Sequence, residues 1–256
     1  MGRLEEKIAV VSGSSRGIGR SIAERLLGDG ATVYITGRDS GRLDTTFDEL
    51  SGQHPGKAFR FRGDLSQTAG IIGCIDQVVK NHQRIDIAVA NIGSGRSVSG
   101  WDITDETWEE SLLINFYPAV RLARESIRHM AKQQSGTIIF ISSIAGCETI
   151  DAPVPYATAK AALLAYMKNT ADIVGPHNIR MNAVSPGNIY FKDGTWDKKM
   201  QSDSKQVQEY IQKSVPLNRF GTPDDVAHAV SFLCSDEASF ISGANIIVDG
   251  GQTRSL

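Results

Sequence analysis

The chain has 256 residues, of which 41% are hydrophobic and 22% charged, and a formal net charge of -2. It is long enough to bury a large core, and its composition excludes the disordered, collagen-like and membrane-spanning extremes. Basic residues are scattered without a tract to neutralise phosphates, and no segment suits a secretion signal or a membrane span. Neither nucleic acid nor membrane is therefore expected as a partner, and the expected location is the cytoplasm.

Apolar runs of strand length recur from Lys7 to Ser12, Thr32 to Thr36, Ala58 to Phe61, Ile85 to Ala90, Thr137 to Ser142, Ile179 to Val184 and Ile246 to Val248. Helical patterns separate them, so the chain reads as successive strand-helix-strand units. The expected fold class is α/β: a Rossmann-type, doubly wound parallel sheet with helices on both faces. Runs without in-out alternation fit strands buried on both sides. The first run leads into a glycine-rich turn from Ser12 to Gly19, after which a helix is expected from Ile18 to Leu27, stopped by Gly28-Asp29-Gly30. Another helix begins after Thr104-Asp105-Glu106-Thr107 and is expected to run unbroken from Trp108 to Met130. The stretch 187–215 is long, polar and irregular, which suggests a substrate lid or binding loop. No linker or repeat divides the chain, so residues 1–256 are expected to form one dinucleotide-binding and catalytic domain. Cys74, Cys147 and Cys234 are too few and too far apart for disulfides or zinc, and the five histidines lack ligand spacing. No metal is expected, and the cysteines are read as small apolar fillers.

A glycine-rich turn alone is weak evidence, but this one directly follows an apolar strand and opens an amphipathic helix, as dinucleotide binding requires. It ends Gly17-Ile18-Gly19-Arg20 and lacks the Gly-Lys-Ser/Thr of a P-loop. Farther along, Tyr156 and Lys160 stand four residues apart, on one helix face if the segment is helical. An ammonium beside a phenol favours the phenolate and lowers a pKa that is ordinarily about 10, which equips the tyrosine to exchange a proton with an alcohol or carbonyl near neutral pH.

These motifs, in this order, resemble the classical short-chain dehydrogenase/reductase family, whose turn reads Thr-Gly-x-x-x-Gly-x-Gly; Ser12 keeps the hydroxyl of that threonine. The resemblance spans nearly the whole chain. It implies cofactor contacts from Gly13, Ser15, Arg16, Gly17, Ile18 and Gly19, adenine contacts from Asp64 and Leu65, and further cofactor contacts from Asn91, Tyr156, Lys160 and Ile189. Asn115, Ser143, Tyr156 and Lys160 match the family's catalytic tetrad. Tyr156 is then the general acid/base, Ser143 stabilises the reacting oxygen, Lys160 biases Tyr156 and holds the nicotinamide ribose, and Asn115 anchors a proton-relay water. Ser142 competes for the serine role, but strand alternation and the spacing to Tyr156 select Ser143. Taken singly, each of these residues has a plain structural use; their ordered occurrence carries the catalytic reading.

After the second strand, Gly37 occupies the position where an enzyme of the unphosphorylated cofactor usually offers a carboxylate. Arg38 follows it, and with Arg16 is expected to grip a 2′-phosphate, so NADP(H) is expected over NAD(H). The implied reaction moves a hydride between this cofactor and a ketone/secondary alcohol pair. The alternatives are a catalytically silent dinucleotide-binding regulator and an isomerase or dehydratase on the same scaffold. The closest resemblance within the family is to 3-oxoacyl-carrier-protein reductases, but Gln134 and His177 replace arginines that would meet the acidic carrier. Phe191 stands where many members have a cofactor-contacting threonine, and the aromatics from Tyr190 to Trp196 either close over an apolar substrate or pack internally. The segment Ile246 to Gly251 resembles one that packs across a two-fold axis, implying a homotetramer.

Overall fold

Each of the seven apolar runs forms a strand within two residues of its expected limits in the computed structural model, which describes residues 2–255. The strands are β1 (Ile8–Val11), β2 (Thr32–Gly37), β3 (Ala58–Arg62), β4 (Ile87–Ala90), β5 (Gly136–Ile141), β6 (Ile179–Pro186) and β7 (Asn245–Val248). They form one parallel sheet in the order β3-β2-β1-β4-β5-β6-β7. The chain builds outward from β1 to β3, then crosses back to lay β4 against the other side of β1. A crevice opens at this reversal, at the carboxyl ends of β1 and β4.

The helices are α1 (Gly17–Gly28), α2 (Ser40–Gln53), α3 (Thr68–His82), α4 (Asp105–Asn115), α5 (Tyr117–Gln133), α6 (Val154–Val174), α7 (Thr195–Ser202), α8 (Ser204–Ser214) and α9 (Pro223–Cys234). Alternate strand residues feed two cores. Ala9, Val11, Val33, Ile35 and Ile139 pack with Ile22 and Leu26 of α1, Leu43 of α2 and Val230 of α9. Ile8, Val10, Tyr34, Ile138 and Phe140 pack with Ile75 of α3, Leu122 of α5 and Leu163 of α6. Each fully buried aliphatic side chain contributes about 1.5–3 kcal/mol, so the doubly covered sheet is the chief source of stability. Hydrogen bonds from Ser21 to Asp224 and from Ser231 to Asp29 fix α1 against α9.

Two-sided burial holds for the five inner strands but not at the edges. Along β3 the pattern alternates, with Arg60 and Arg62 exposed; Arg60 lies over the Phe47 ring at 4.5 Å and pairs with Asp44 at 3.0 Å. Charged residues on an edge strand discourage pairing with another chain. β7, at the opposite edge, is only half buried.

The expected single helix from Trp108 to Met130 is two helices. Phe116, with φ -120° and ψ -60°, separates α4 from α5. Pro118 explains the break, because it offers no N–H to the carbonyl of Ile114 and its ring crowds that oxygen. The stretch 187–215 is also more regular than expected, since it contains α7 and α8. Asp203 stands between them and caps α8 by accepting the N–H of Gln206 at 2.9 Å. Among the described residues no helix is long and apolar enough to cross a membrane.

Candidate active site

The glycine-rich turn lies at the reversal of strand order. Gly17 has φ +56°, a conformation that suits glycine. Gly19 is held by proximity: a Cβ there would lie 2.5 Å from both the Asn91 amide nitrogen and the Gly13 carbonyl oxygen. Asn91, just beyond β4, ties the two strand ends together. Its backbone N–H donates to the Ser12 hydroxyl at 2.8 Å, and its side-chain amide donates to the carbonyls of Ser12 at 3.0 Å and Gly13 at 3.2 Å. No side chain caps α1 at Arg16, so the helix N-terminus opens onto the crevice with its N–H groups and partial positive charge available to an anion. A close-packed glycine cradle beneath an uncapped helix fits a dinucleotide pyrophosphate.

The Phe191 ring lies against this turn, 2.7 Å from where a Cβ on Gly17 would stand. Arg16 donates to the Asp193 carbonyl at 3.3 Å, so the segment beyond β6 touches the turn at two points. The other aromatics of that segment pack on one another: Trp196 stacks on Tyr210 with centroids 5.4 Å apart, and Phe220 meets both Trp196 and Tyr190. Tyr190 and Trp196 are thus packed within one group of aromatics.

Ser143, Tyr156, Lys160 and Asn115 come from three places in the chain. Ser143 follows β5 and opens a short 3-10 turn, its hydroxyl accepting the Ala145 N–H at 3.2 Å. Tyr156 sits in the first turn of α6, which starts with Val154-Pro155, a proline position where no N–H is needed. Lys160 follows one turn later and is buried, donating to the Ile141 carbonyl at 2.8 Å. Asn115 is the last residue of α4, so the break at Phe116 lies immediately beyond it; its buried Oδ1 accepts the Ser94 N–H at 2.7 Å. A Cβ on Gly93 would stand 3.0 Å from Lys160 Nζ and 3.1 Å from Asn115 Oδ1, so those two groups converge on the loop after β4. Ser142 is engaged elsewhere, its hydroxyl donating to the Lys160 carbonyl at 3.1 Å.

The electrostatics depart from the expectation that Lys160 lowers the Tyr156 pKa. Burial raises the phenol above its ordinary value, and the facing Ser143 side chain opposes that rise. Lys160 Nζ stands 5.9 Å from the Tyr156 ring centre, directed at Ile141, and burial alone brings its pKa down to about 8. Proximity in sequence set the two residues one turn apart, but the free carbonyl at the end of β5 claims the ammonium.

Gly146 links fold to site, because a Cβ there would fall 2.7 Å from the Lys160 backbone carbon and 2.8 Å from the Ala161 nitrogen. Gly146→Ala is therefore expected to push the Ser143 turn off α6. The expected result is a loss of about 1–3 kcal/mol by chemical denaturation and at least a tenfold fall in kcat, on the order of a 1 Å misplacement of a reacting group.

The remaining expected contacts are spread around the crevice. Gly37 faces the turn, a Cβ there lying 3.2 Å from Ser15 Cβ, while the Ser15 carbonyl accepts the Thr46 hydroxyl at 3.0 Å. Arg16 and Arg38 are exposed on either side, and among the described residues neither forms a salt bridge. Asp39 caps α2 through the Arg42 N–H at 3.1 Å. Burial would raise the Asp64 pKa, yet the hydroxyl and N–H of Ser66, with the Arg38 charge, hold it below its usual value. The Leu65 and Ile189 side chains are buried in the two cores, and Ile18 packs at the edge of one. Cys74 and Cys234 fill space as expected, burial pushing both thiols up to about 12. Cys147 differs: it is half buried, its sulfur 3.2 Å from the Asn245 amide nitrogen and 3.5 Å from the Ser185 hydroxyl. Ser94 and Ile141 escaped the sequence reading, because both act through backbone atoms.

A parallel sheet with a glycine turn at its switch point, and a serine, tyrosine and lysine gathered beside it, defines an oxidoreductase of the dinucleotide-dependent class. A family model described as enoyl-(acyl carrier protein) reductase matches residues 13–253. A 3-oxoacyl-[acyl-carrier-protein] reductase of Aquifex aeolicus is 35% identical over 251 residues, covering 98% of each chain. The chain belongs to the short-chain dehydrogenase/reductase family, whose members here act on CH–OH and C=O groups. Among solved structures, L-sorbose reductase of Gluconobacter frateurii in complex with NADPH and L-sorbose superposes with a TM-score of 0.92 at 30% identity, covering 100% of both chains. A 7α-hydroxysteroid dehydrogenase in complex with NADH and 7-oxo glycochenodeoxycholic acid gives 0.90 at 29%, covering 99% of this chain and 97% of the other.

Proposed function

We propose that the protein is an NADP(H)-dependent reductase or dehydrogenase of a ketone/secondary alcohol pair. The observation that carries this reading is the convergence of Ser143, Tyr156, Lys160 and Asn115 beside the uncapped N-terminus of α1. The nicotinamide supplies or accepts the hydride when bound. In reduction the Tyr156 hydroxyl gives its proton to the substrate carbonyl oxygen, and in oxidation the phenolate takes the proton back. The Ser143 hydroxyl donates to the same oxygen as negative charge grows on it. Lys160 supplies positive charge beneath the site, and Asn115 holds the loop at Ser94. Gly13, Ser15, Gly17, Ile18, Gly19, Asn91 and Ile189 would line the pyrophosphate and nicotinamide, Asp64 and Leu65 the adenine, and Arg16 and Arg38 the 2′-phosphate.

We further propose that residues 1–256 act as one domain with 187–215 as its lid, in the cytoplasm. Exposed Leu217, Phe240 and Ile247 near β7 favour a homotetramer, to be checked by light scattering. Gln134 and His177 bond each other at 3.1 Å and offer no pair of fixed cations to an acidic carrier, which favours a free small molecule as substrate. The deciding experiment measures NADPH and NADH binding by cofactor fluorescence, then net cofactor turnover on a panel of ketones and alcohols. Binding without turnover would favour a silent regulator, and substrate conversion without net turnover an isomerase or dehydratase. Failure to bind either nucleotide would sink the reading.

A further inference from the structure

Beyond β7 the chain does not fray. Asp249 accepts the N–H of Gly251 at 2.9 Å, the N–H of Thr253 at 2.7 Å and the Thr253 hydroxyl at 2.8 Å, which turns the tail back over the molecule. Gln252 then joins two parts of the 187–215 segment: its amide oxygen accepts from Asn188 at 2.7 Å, and its amide nitrogen donates to the Tyr210 hydroxyl at 3.1 Å. At the far end, one carboxylate oxygen of Glu148 accepts three donors, the N–H of Arg254 at 2.8 Å, the N–H of Ser255 at 3.0 Å and the Ser255 hydroxyl at 2.9 Å. Glu148 lies on the loop that joins Ser143 to Tyr156. The tail therefore spans from the segment beyond β6 to the loop between Ser143 and Tyr156, tied at both ends by hydrogen bonds that include a charged acceptor.

We infer that Glu148 is a positioning residue for substrate selection: by clasping Arg254 and Ser255 it makes the chain's own C-terminal segment a wall of the substrate cleft that excludes bulky carbonyl compounds. The inference rests on the proposed ketone reductase activity. Without the Glu148 clasp the span from Gln252 to Ser255 keeps, among the described residues, its Gln252 anchor to the 187–215 segment and its Asp249 turn.

The test compares Glu148→Ala, Glu148→Gln and a chain ending at Gly251 with the wild type, using a small and a bulky ketone with NADPH. Hydrogen–deuterium exchange of the C-terminal peptide serves as an activity-independent readout. In Glu148→Ala the tail is expected to exchange faster, and the ratio of kcat/KM for the small over the bulky ketone to fall about tenfold, mainly through KM, as lost ground-state discrimination requires. The shortened chain should show the same loss of selectivity, and Glu148→Gln, which keeps an acceptor oxygen, should retain most of it. Unchanged exchange in Glu148→Ala overturns the clasp. Faster exchange with an unchanged ratio in both Glu148→Ala and the shortened chain overturns the wall. If the wild type reduces no ketone, the functional reading fails and the wall with it, while exchange still decides whether the clasp exists.

Discussion

Replacing Tyr156 by Phe is expected to lower kcat for ketone reduction by about 10²–10⁴-fold, the usual worth of a positioned general acid, while leaving NADPH affinity within a few-fold. The hydroxyl carries a transferable proton and shares a hydrogen bond with the Ser143 side chain, and its loss removes no packing. Replacing Lys160 by Met is expected to reduce kcat comparably but to raise stability. Burial holds the Lys160 pKa at about 8 against an ordinary 10.5, so the folded state disfavours the charged form. The sign follows: the penalty is fully present below pH 8, is relieved as pH rises from 8 to 10.5, and amounts to about 3 kcal/mol before the bond to Ile141 is counted. Denaturation of the wild type should accordingly show stability rising across that window relative to Lys160→Met, in which the dependence is absent. Equal slopes would mean that the ammonium is better solvated than its burial implies.

The Arg16→Ala, Arg38→Ala double variant is expected to lose its preference for NADPH. A charged hydrogen bond contributes about 1.5–3 kcal/mol, so two of them predict at least a hundredfold weaker binding of NADPH. NADH, which has no 2′-phosphate, should bind within about threefold of the wild type by the same reasoning. Both side chains are exposed, so the preference should shrink with added salt and the melting temperature should hardly move. Equal affinity for both cofactors in the wild type would remove the arginine pair from cofactor choice.

Why these residues were legible in the sequence, and others not, is a matter of local against distant causes. The seven strands announced themselves because the inner ones are apolar on both sides, and the glycine turn because its spacing is dictated by close approach to Asn91 and Phe191. The kink after Asn115 had a local signal in Pro118, which the strong helical pattern around it outweighed. The two helices at 195–214 are polar, and their packing rests on a few aromatics and on Asp197, which accepts the Tyr190 hydroxyl at 2.7 Å, so their periodicity was faint. The direction of the Lys160 ammonium was illegible in principle, because its partner is a backbone carbonyl 19 residues away. The Glu148 clasp joins atoms more than a hundred residues apart and leaves no pattern in either segment.

The stitch made by Asn91 also orders the birth of the molecule. β1, β2 and β3 can pair as soon as they leave the ribosome, but β1 waits for β4 to cover its other side, and Ser12 and Gly13 wait for the same stretch to supply their hydrogen-bond donors. A nascent chain stopped short of Asn91 has a glycine turn without its brace, with one flank of its central strand bare. At a synthesis rate of about 5–20 residues per second, that interval lasts seconds, during which the apolar edge of β1 is open to wrong partners. A dinucleotide held at this turn as proposed would therefore act as a folding ligand for chains past this point, drawing late intermediates toward the native state by mass action.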